Sequence, residues 1–144
     1  MRLNLQSDYS LRLLMHLAAN PDRLVTIAEV ASRFRISQNH LMKVAHLLGR
    51  EGLIETLRGR AGGLRLALAP DRIRVGDVVR RMEGDIRIVE CFSSESGCLI
   101  SGACRLKGAL HEALDAFLNV LDRYTLADLT KSPRLRALLH AEAA

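Results

Sequence analysis

Apolar residues recur at helical spacing over residues 7–19: Leu11, Leu14, Met15 and Ala18 fall at i, i+3, i+4 and i+7, and Leu13 and Leu17 widen the face. Ser7 is the expected cap, Asp8 sits in the first turn where a carboxylate suits the helix dipole, and Asn20-Pro21-Asp22 ends the run. Thr26 with Glu29 three residues on has the form of a capping box. The helix it opens is expected to run to about Phe34 and bury Ile27, Val30, Ala31 and Phe34. Ser37 caps another, over residues 38–50, with Leu41, Val44, Ala45 and Leu48 inside and Gly52 closing it. Two short helices joined by so tight a turn form a helix-turn-helix candidate.

The periodicity then changes. Residues 53–57 and 64–68 alternate apolar and polar, as half-buried strands do, and the six residues between them hold three glycines. Helix, turn, helix and hairpin make a winged helix, so the expected class is mainly α with a small β-hairpin wing. After a break at Ala69-Pro70-Asp71, residues 75–83 read as a short helix with Val75, Val78, Val79 and Met82 on one face. Residues 84–103 are irregular and rich in Ser and Gly. Residues 105–123 carry the longest stripe, Leu106, Leu110, Ala113, Phe117, Val120 and Leu121, with Leu114 and Leu118 beside it. Shorter helical turns are expected at residues 125–129 and 135–140.

Only 3% of the 144 residues are aromatic, so the core must be aliphatic. No apolar h-region opens the chain and no apolar run approaches a membrane span, which points to a soluble, cytoplasmic protein. The formal charge of +5 is unevenly placed: residues 33–65 hold seven Lys/Arg against two Glu, whereas residues 81–144 hold eight against nine acidic residues. Such a one-sided excess suits a polyanion. The second helix of the pair opens Gln38-Asn39-His40 and continues to Lys43. Its N-terminal end is where a recognition helix meets the major groove, and Gln and Asn can bond adenine in bidentate fashion. Arg58 and Arg60 flank the hairpin tip, placed for phosphate or the minor groove. The candidate DNA contacts are Thr26, Gln38, Asn39, His40, Lys43, Arg58 and Arg60.

The three cysteines are spaced Cys91-x6-Cys98-x5-Cys104. This matches neither a zinc knuckle nor a ferredoxin run. Cys104 precedes a helix, and Arg105 and Lys107 add positive potential beside it. Three thiols on one loop suit a soft metal or an iron–sulfur cluster, a redox thiol switch or, if inert, small buried hydrophobes. A cluster would need a fourth ligand from elsewhere. The five histidines are scattered and none neighbours a cysteine in sequence, which argues against a thiolate–base enzyme.

Six stretches carry a family resemblance: Asp8-Tyr9 with Leu11-Arg12, residues 37–44, residues 58–66, residues 73–80, Cys104-Arg105-Leu106, and residues 124–129. Together the chain resembles the Rrf2 family of bacterial iron–sulfur transcription regulators, and within it the nitric-oxide-sensing repressors. The resemblance implies a homodimer on palindromic double-stranded operator DNA. It implies a [4Fe-4S] cluster on Cys91, Cys98 and Cys104, with Asp8 from the other subunit as fourth ligand, and release from DNA when nitric oxide nitrosylates the cluster. It divides the chain into a winged helix-turn-helix domain (1–83), a cluster-binding loop (84–104), and a dimerisation helix with a C-terminal tail (105–144). Iron-responsive RirA-type members are the alternative, since their cysteine spacing is similar. IscR-type members use a loop histidine that is absent between Cys91 and Cys104. A [2Fe-2S] cluster, a zinc-stabilised DNA-binding module and a thiol-redox regulator are the other readings.

Overall fold

The computed structural model describes residues 1–140. Seven helices and one hairpin follow in the order α1 (Leu5–Ala19), α2 (Ile27–Phe34), α3 (Gln38–Arg50), β1 (Ile54–Leu57), β2 (Gly63–Leu66), α4 (Val75–Glu83), α5 (Arg105–Leu121), α6 (Leu126–Leu129) and α7 (Pro133–His140). Single 3-10 turns stand at Pro70–Arg72 and Glu90–Phe92. Residues 141–144, the end of the expected C-terminal tail, lie outside the described residues.

α1 is the central element. Leu13, Leu14 and Leu17 are buried, and α3, α4, β2, α6, α7 and α2 all pack on it. Its cap is Asn4, not Ser7 as the sequence suggests: Asn4 Oδ1 accepts the Ser7 N–H at 2.7 Å. Ser7 is itself fully buried, and its hydroxyl meets the Glu83 carboxylate at the end of α4. Glu83 also accepts the Asn4 N–H at 2.8 Å. The start of α1 is thus tied to the end of α4, a long-range partnership that local spacing does not show.

Ser37 and Thr26 cap α3 and α2 as expected, each accepting the N–H three residues on. The turn between α2 and α3 passes through Arg35 in the left-handed region (φ 55°), where the Arg35 and Ile36 N–H groups both bond Ala31 O. A non-glycine residue there is uncommon, and the tight α2–α3 joint holds it in place. In the hairpin, Ile54 faces Leu66 and Leu57 faces Gly63. Val25 bonds Leu64 in both directions, at 3.0 and 2.7 Å, so the segment before α2 is fixed to the wing. At the tip, a Cβ on Gly62 would lie 2.2 Å from Leu57 O, so only glycine fits that turn.

The expected capping box at Thr26 forms only by half, because the Glu29 side chain turns elsewhere. It accepts both Arg23 Nη groups, Nη1 at 2.8 Å, and lies 2.7 Å from Nε2 of fully buried His16. The Arg23 bonds, foremost, hold the Glu29 pKa down to about 2, so Glu29 is the acceptor and neutral His16 donates through Nε2. Burial, foremost, lowers the His16 pKa. The network bridges α1 to the first helix of the DNA-binding pair.

The last elements fold back. α6 has a complete capping box between Thr125 and Asp128, and Leu126 is fully buried in the same core as α1. Asn20 donates to Leu139 O of α7 at 3.3 Å and Arg33 to Leu138 O at 3.1 Å. α6 and α7 therefore pack against the winged helix. α5 itself ends at Leu121, two residues short of the expected end, and of its residues only Leu114, beside the stripe, is buried; Leu106 and Val120 are exposed. Its junction to α4 is a bidentate pair, Arg80 to Asp122 at 2.7 Å twice. The Asp122 carboxylate lies where a Cβ on Gly76 would be, 1.9 Å from Oδ1.

Two outcomes follow from these contacts. Gly76→Ala should lower Tm by about 2–8 °C by displacing Asp122; adding Asp122→Ala should cost little more, and additive losses would show the two sites to be independent. Because the His16 pKa is lowered, its contribution is full above its unfolded value of 6.5 and is lost as pH falls below it; that of Glu29 is full above 4.5 and lost toward pH 2. Urea unfolding between pH 8 and 3 should show stability declining through both windows. Glu29→Gln should cost about 1–3 kcal/mol at pH 7 and abolish the lower window; an unchanged pH profile would remove the pair from the stability account.

Candidate functional site

The surface around α3 and the wing is built for an extended anion. The Ser37 cap, with its Oγ 3.1 Å from the His40 N–H, leaves Gln38 and Asn39 exposed on the first turn of α3. Lys43 is exposed one turn further on, and Arg58 and Arg60 are exposed at the wing. Ion pairing separates the cations of this stretch. Arg65 is held by Glu55 at 2.8 Å, and Arg33 is committed to the Leu138 carbonyl. Lys43, Arg58 and Arg60 make no salt bridge among the described residues. Positive charge without an internal partner is what a phosphate backbone neutralises. Thr26 is also exposed, with its Oγ accepting the Glu29 N–H at 3.2 Å and its hydroxyl proton still available to donate.

His40 differs from its neighbours. It is only half-exposed, and its ring meets the Tyr9 ring of α1 edge-on, with centroids 4.8 Å apart and planes at 77°. Spacing along α3 places His40 toward DNA; the contact with α1 is tertiary and leaves no local pattern.

The second candidate region is the loop between α4 and α5. Cys91 lies in the 3-10 turn, Cys98 is exposed, and both line one hollow of about 1250 Å³ with Arg87, Glu90, Glu95 and Ser96. Cys104 stands outside that lining as the N-cap residue of α5, its side chain making no cap bond. All three thiols are free, and among the described residues no three His, Cys, Asp or Glu side chains converge on one point. The donor chemistry fits an iron–sulfur cluster: soft sulfur ligands on an irregular loop beside a roomy hollow, three where such clusters need four. Asp8 is half-exposed at the start of α1 and is held by Arg12 through two contacts of 2.9 Å. Sequence reasoning missed one feature of the loop. His111 of α5 stacks flat on Phe92, centroids 3.8 Å apart and planes within 6°, which fastens the chain beside Cys91 to α5.

No helix among the described residues is long and apolar enough to cross a membrane. Comparison with known proteins agrees with this arrangement. The family model "Rrf2: Iron-dependent Transcriptional regulator" matches residues 3–132. The chain is 52% identical over 142 residues to the "HTH-type transcriptional regulator NsrR" of Halalkalibacterium halodurans, covering 96% of this chain and 97% of that protein. It is 52% identical over 134 residues to the same-named protein of Bacillus subtilis, covering 92% of each. Among solved structures, T. potens IscR superposes with a TM-score of 0.74 at 26% identity, over 91% of this chain and 87% of that one. The oxidized form of Staphylococcus aureus CymR superposes with a TM-score of 0.73 at 25% identity, over 92% and 98%. These relatives are transcriptional regulators and not enzymes, as expected from the scattered histidines. The mainly helical chain with its basic winged helix belongs to the Rrf2 family of transcriptional regulators.

Proposed function

We propose that the protein is a cytoplasmic, iron–sulfur-cluster-dependent repressor that binds palindromic operator DNA as a homodimer and leaves it in response to nitric oxide. The observation that carries this reading is the union, in one chain, of an ion-pair-free basic recognition surface with a three-thiol loop. The identity of 52% to proteins named NsrR supports it. The family description, iron-dependent, favours one second reading, in which iron supply is the signal.

Gln38 and Asn39 read base edges from the first turn of α3, with Lys43 and His40 beside them and Thr26 at the start of α2. Arg58 and Arg60 neutralise phosphates from the wing. In a dimer the two recognition helices enter major grooves one turn apart, roughly 34 Å. The exposed apolar stripe of α5 supplies the pairing face. Cys91, Cys98 and Cys104 would hold the cluster, a [4Fe-4S] type with [2Fe-2S] or zinc as alternatives, and the partner subunit's Asp8 would complete the set. When bound, the cluster supplies iron that is open to attack by nitric oxide. Asp8 is the weakest ligand, a hard oxygen donor on a soft site. Arg12 stands ready to take it back, because the two already pair within one chain. Release needs only a few kcal/mol, since each ~1.4 kcal/mol is tenfold in affinity.

Fluorescence-anisotropy titrations across a range of salt test the DNA contacts. Arg60→Ala should weaken binding to every duplex alike and reduce the salt slope by about one, whereas Asn39→Ala should cost about 1–3 kcal/mol on the preferred sequence alone. Operator binding unaltered by both would refute the contact assignment. Anaerobically purified protein should carry iron and sulfide with the absorbance of a cluster; zinc alone would sink the cluster reading. Asp8→Ala should retain the cluster but shift its spectrum, and an unshifted spectrum would remove Asp8 from the ligand set.

A further inference from the structure

Met42 stands among the exposed polar residues of α3, although it is apolar. Its side chain is 58% exposed, and among the described residues of α2 and α3 it is the one large apolar residue left open to solvent. The other apolar residues of α3 behave as the periodicity requires: Leu41, Val44, Ala45 and Leu48 are buried in the core shared with α1 and α2. The α-helical backbone turns about 100° per residue, so Met42 projects between Gln38 and Asn39, one turn further along the helix. Lys43 beside it is exposed and makes no salt bridge among the described residues, and His46, one turn on, is exposed as well.

Resting on the reading of α3 as a recognition helix, we infer that Met42 reads a thymine by packing on its C5-methyl group in the major groove. The groove edge presents hydrogen-bonding atoms and one apolar group, the thymine methyl. Gln38 and Asn39 serve the hydrogen-bonding atoms, whereas only an apolar side chain gains by covering the methyl, and Met42 is the exposed one on this helix. Position agrees with chemistry. Met42 lies about 4.5 Å along the helix axis from Asn39, near the roughly 3.4 Å step between base pairs, so with Asn39 on an adenine Met42 falls over the neighbouring pair. The thioether chain is unbranched and adapts to an irregular surface, which suits a contact made only when DNA arrives. The flanking residues Gln38, Asn39, Lys43 and His46 are polar or charged, a poor surrounding for an apolar protein partner and a good one for a duplex. Met42 is thus a specificity-determining residue, and the half-site carries a thymine, on one strand or the other, beside the adenine that Gln38 or Asn39 bonds.

Replacing a thymine by deoxyuridine removes the methyl group alone and keeps base pairing, so the contact can be probed from the DNA side with the protein unaltered. The test uses the full chain purified anaerobically and a duplex that it selects from random-sequence DNA. Thymines of the selected site are replaced by deoxyuridine one at a time, in both half-sites together where the site is an inverted repeat. At one position wild-type affinity should fall by roughly three- to fivefold per half-site, the worth of about one buried methyl group. Met42→Ala should bind the thymine duplex more weakly by a similar factor and be indifferent to deoxyuridine at that position, while Met42→Leu should keep the sensitivity. Met42→Gln, of similar length and helix propensity, should show the same indifference and keeps the test open if Met42→Ala folds poorly. Wild-type binding unchanged at every thymine would overturn the inference. So would a Met42→Ala or Met42→Gln protein that loses as much as wild type on the deoxyuridine duplex, because the methyl would then be read by another residue. A wild-type protein that selects no sequence would instead refute the reading of α3 as a recognition helix, and the inference with it.

Discussion

Leu13, Leu14 and Leu17 place α1 at the centre of the molecule, and almost every other element is positioned by packing on that one helix. Burying a leucine contributes about 1.5–3 kcal/mol, so this face alone accounts for a large part of the cohesion between the winged helix and the rest of the chain. The consequence is mechanical. α3 and the wing strand β2 reach α1 from one side, and α4, α6 and α7 from others, so the recognition surface cannot change its attitude independently of α1. The exposed end of the same helix carries Asp8 and Tyr9.

α5 obeys the opposite logic. Its periodic apolar stripe predicts burial, but within one chain only Leu114 achieves it. The stripe is neither a misread periodicity nor a surplus of surface leucines, because the helix forms over nearly the expected span. Its attachment to α4 is polar at its C-terminal end, through Arg80 and Asp122, and His111 further along it stacks on Phe92 of the cysteine loop. Tied to α4 at its C-terminal end, α5 presents Leu106 and Val120 to solvent in an orientation set by that joint. In the proposed dimer that orientation decides how far apart the two recognition helices stand, which is what a palindrome measures.

What the sequence shows and what it conceals divide along local and long-range physics. Thr26 and Ser37 are legible as caps because the bond they make spans three residues. The wing is legible because strand alternation and glycine clustering are both local, and the close approach at Gly62 confirms why glycine stands there. Ser7 misleads: it has the right residue type for a cap, yet its hydroxyl is used by Glu83, seventy-six residues away. His16 lies within an apolar helix face with no sign of its partner, since Glu29 and Arg23 come from the next turn and helix. The docking of α7 on α1 and α2 depends on backbone carbonyls of Leu138 and Leu139, and carbonyls carry no sequence signature. The candidate site divides the same way. The cysteine spacing and the basic stretch are visible along the chain, whereas the Tyr9–His40 and Phe92–His111 contacts exist only once helices have been brought together.

Charge placement is the last constraint, and it separates the two ends of the molecule's work. Counting Lys and Arg along the sequence treats Arg33, Arg65 and Arg60 as equals, but the first two are held by a carbonyl and a carboxylate of the chain itself. Among the described residues of this stretch, the other cations make no ion pair: Lys43 on α3 and Arg58 and Arg60 on the wing, with Arg35 and Arg50 at the ends of α2 and α3. Around the cysteine hollow the balance reverses: Glu90 and Glu95 line it, and Arg87 is paired with Asp85. A polyanion approaching this protein is therefore drawn to the wing and α3 rather than to the hollow.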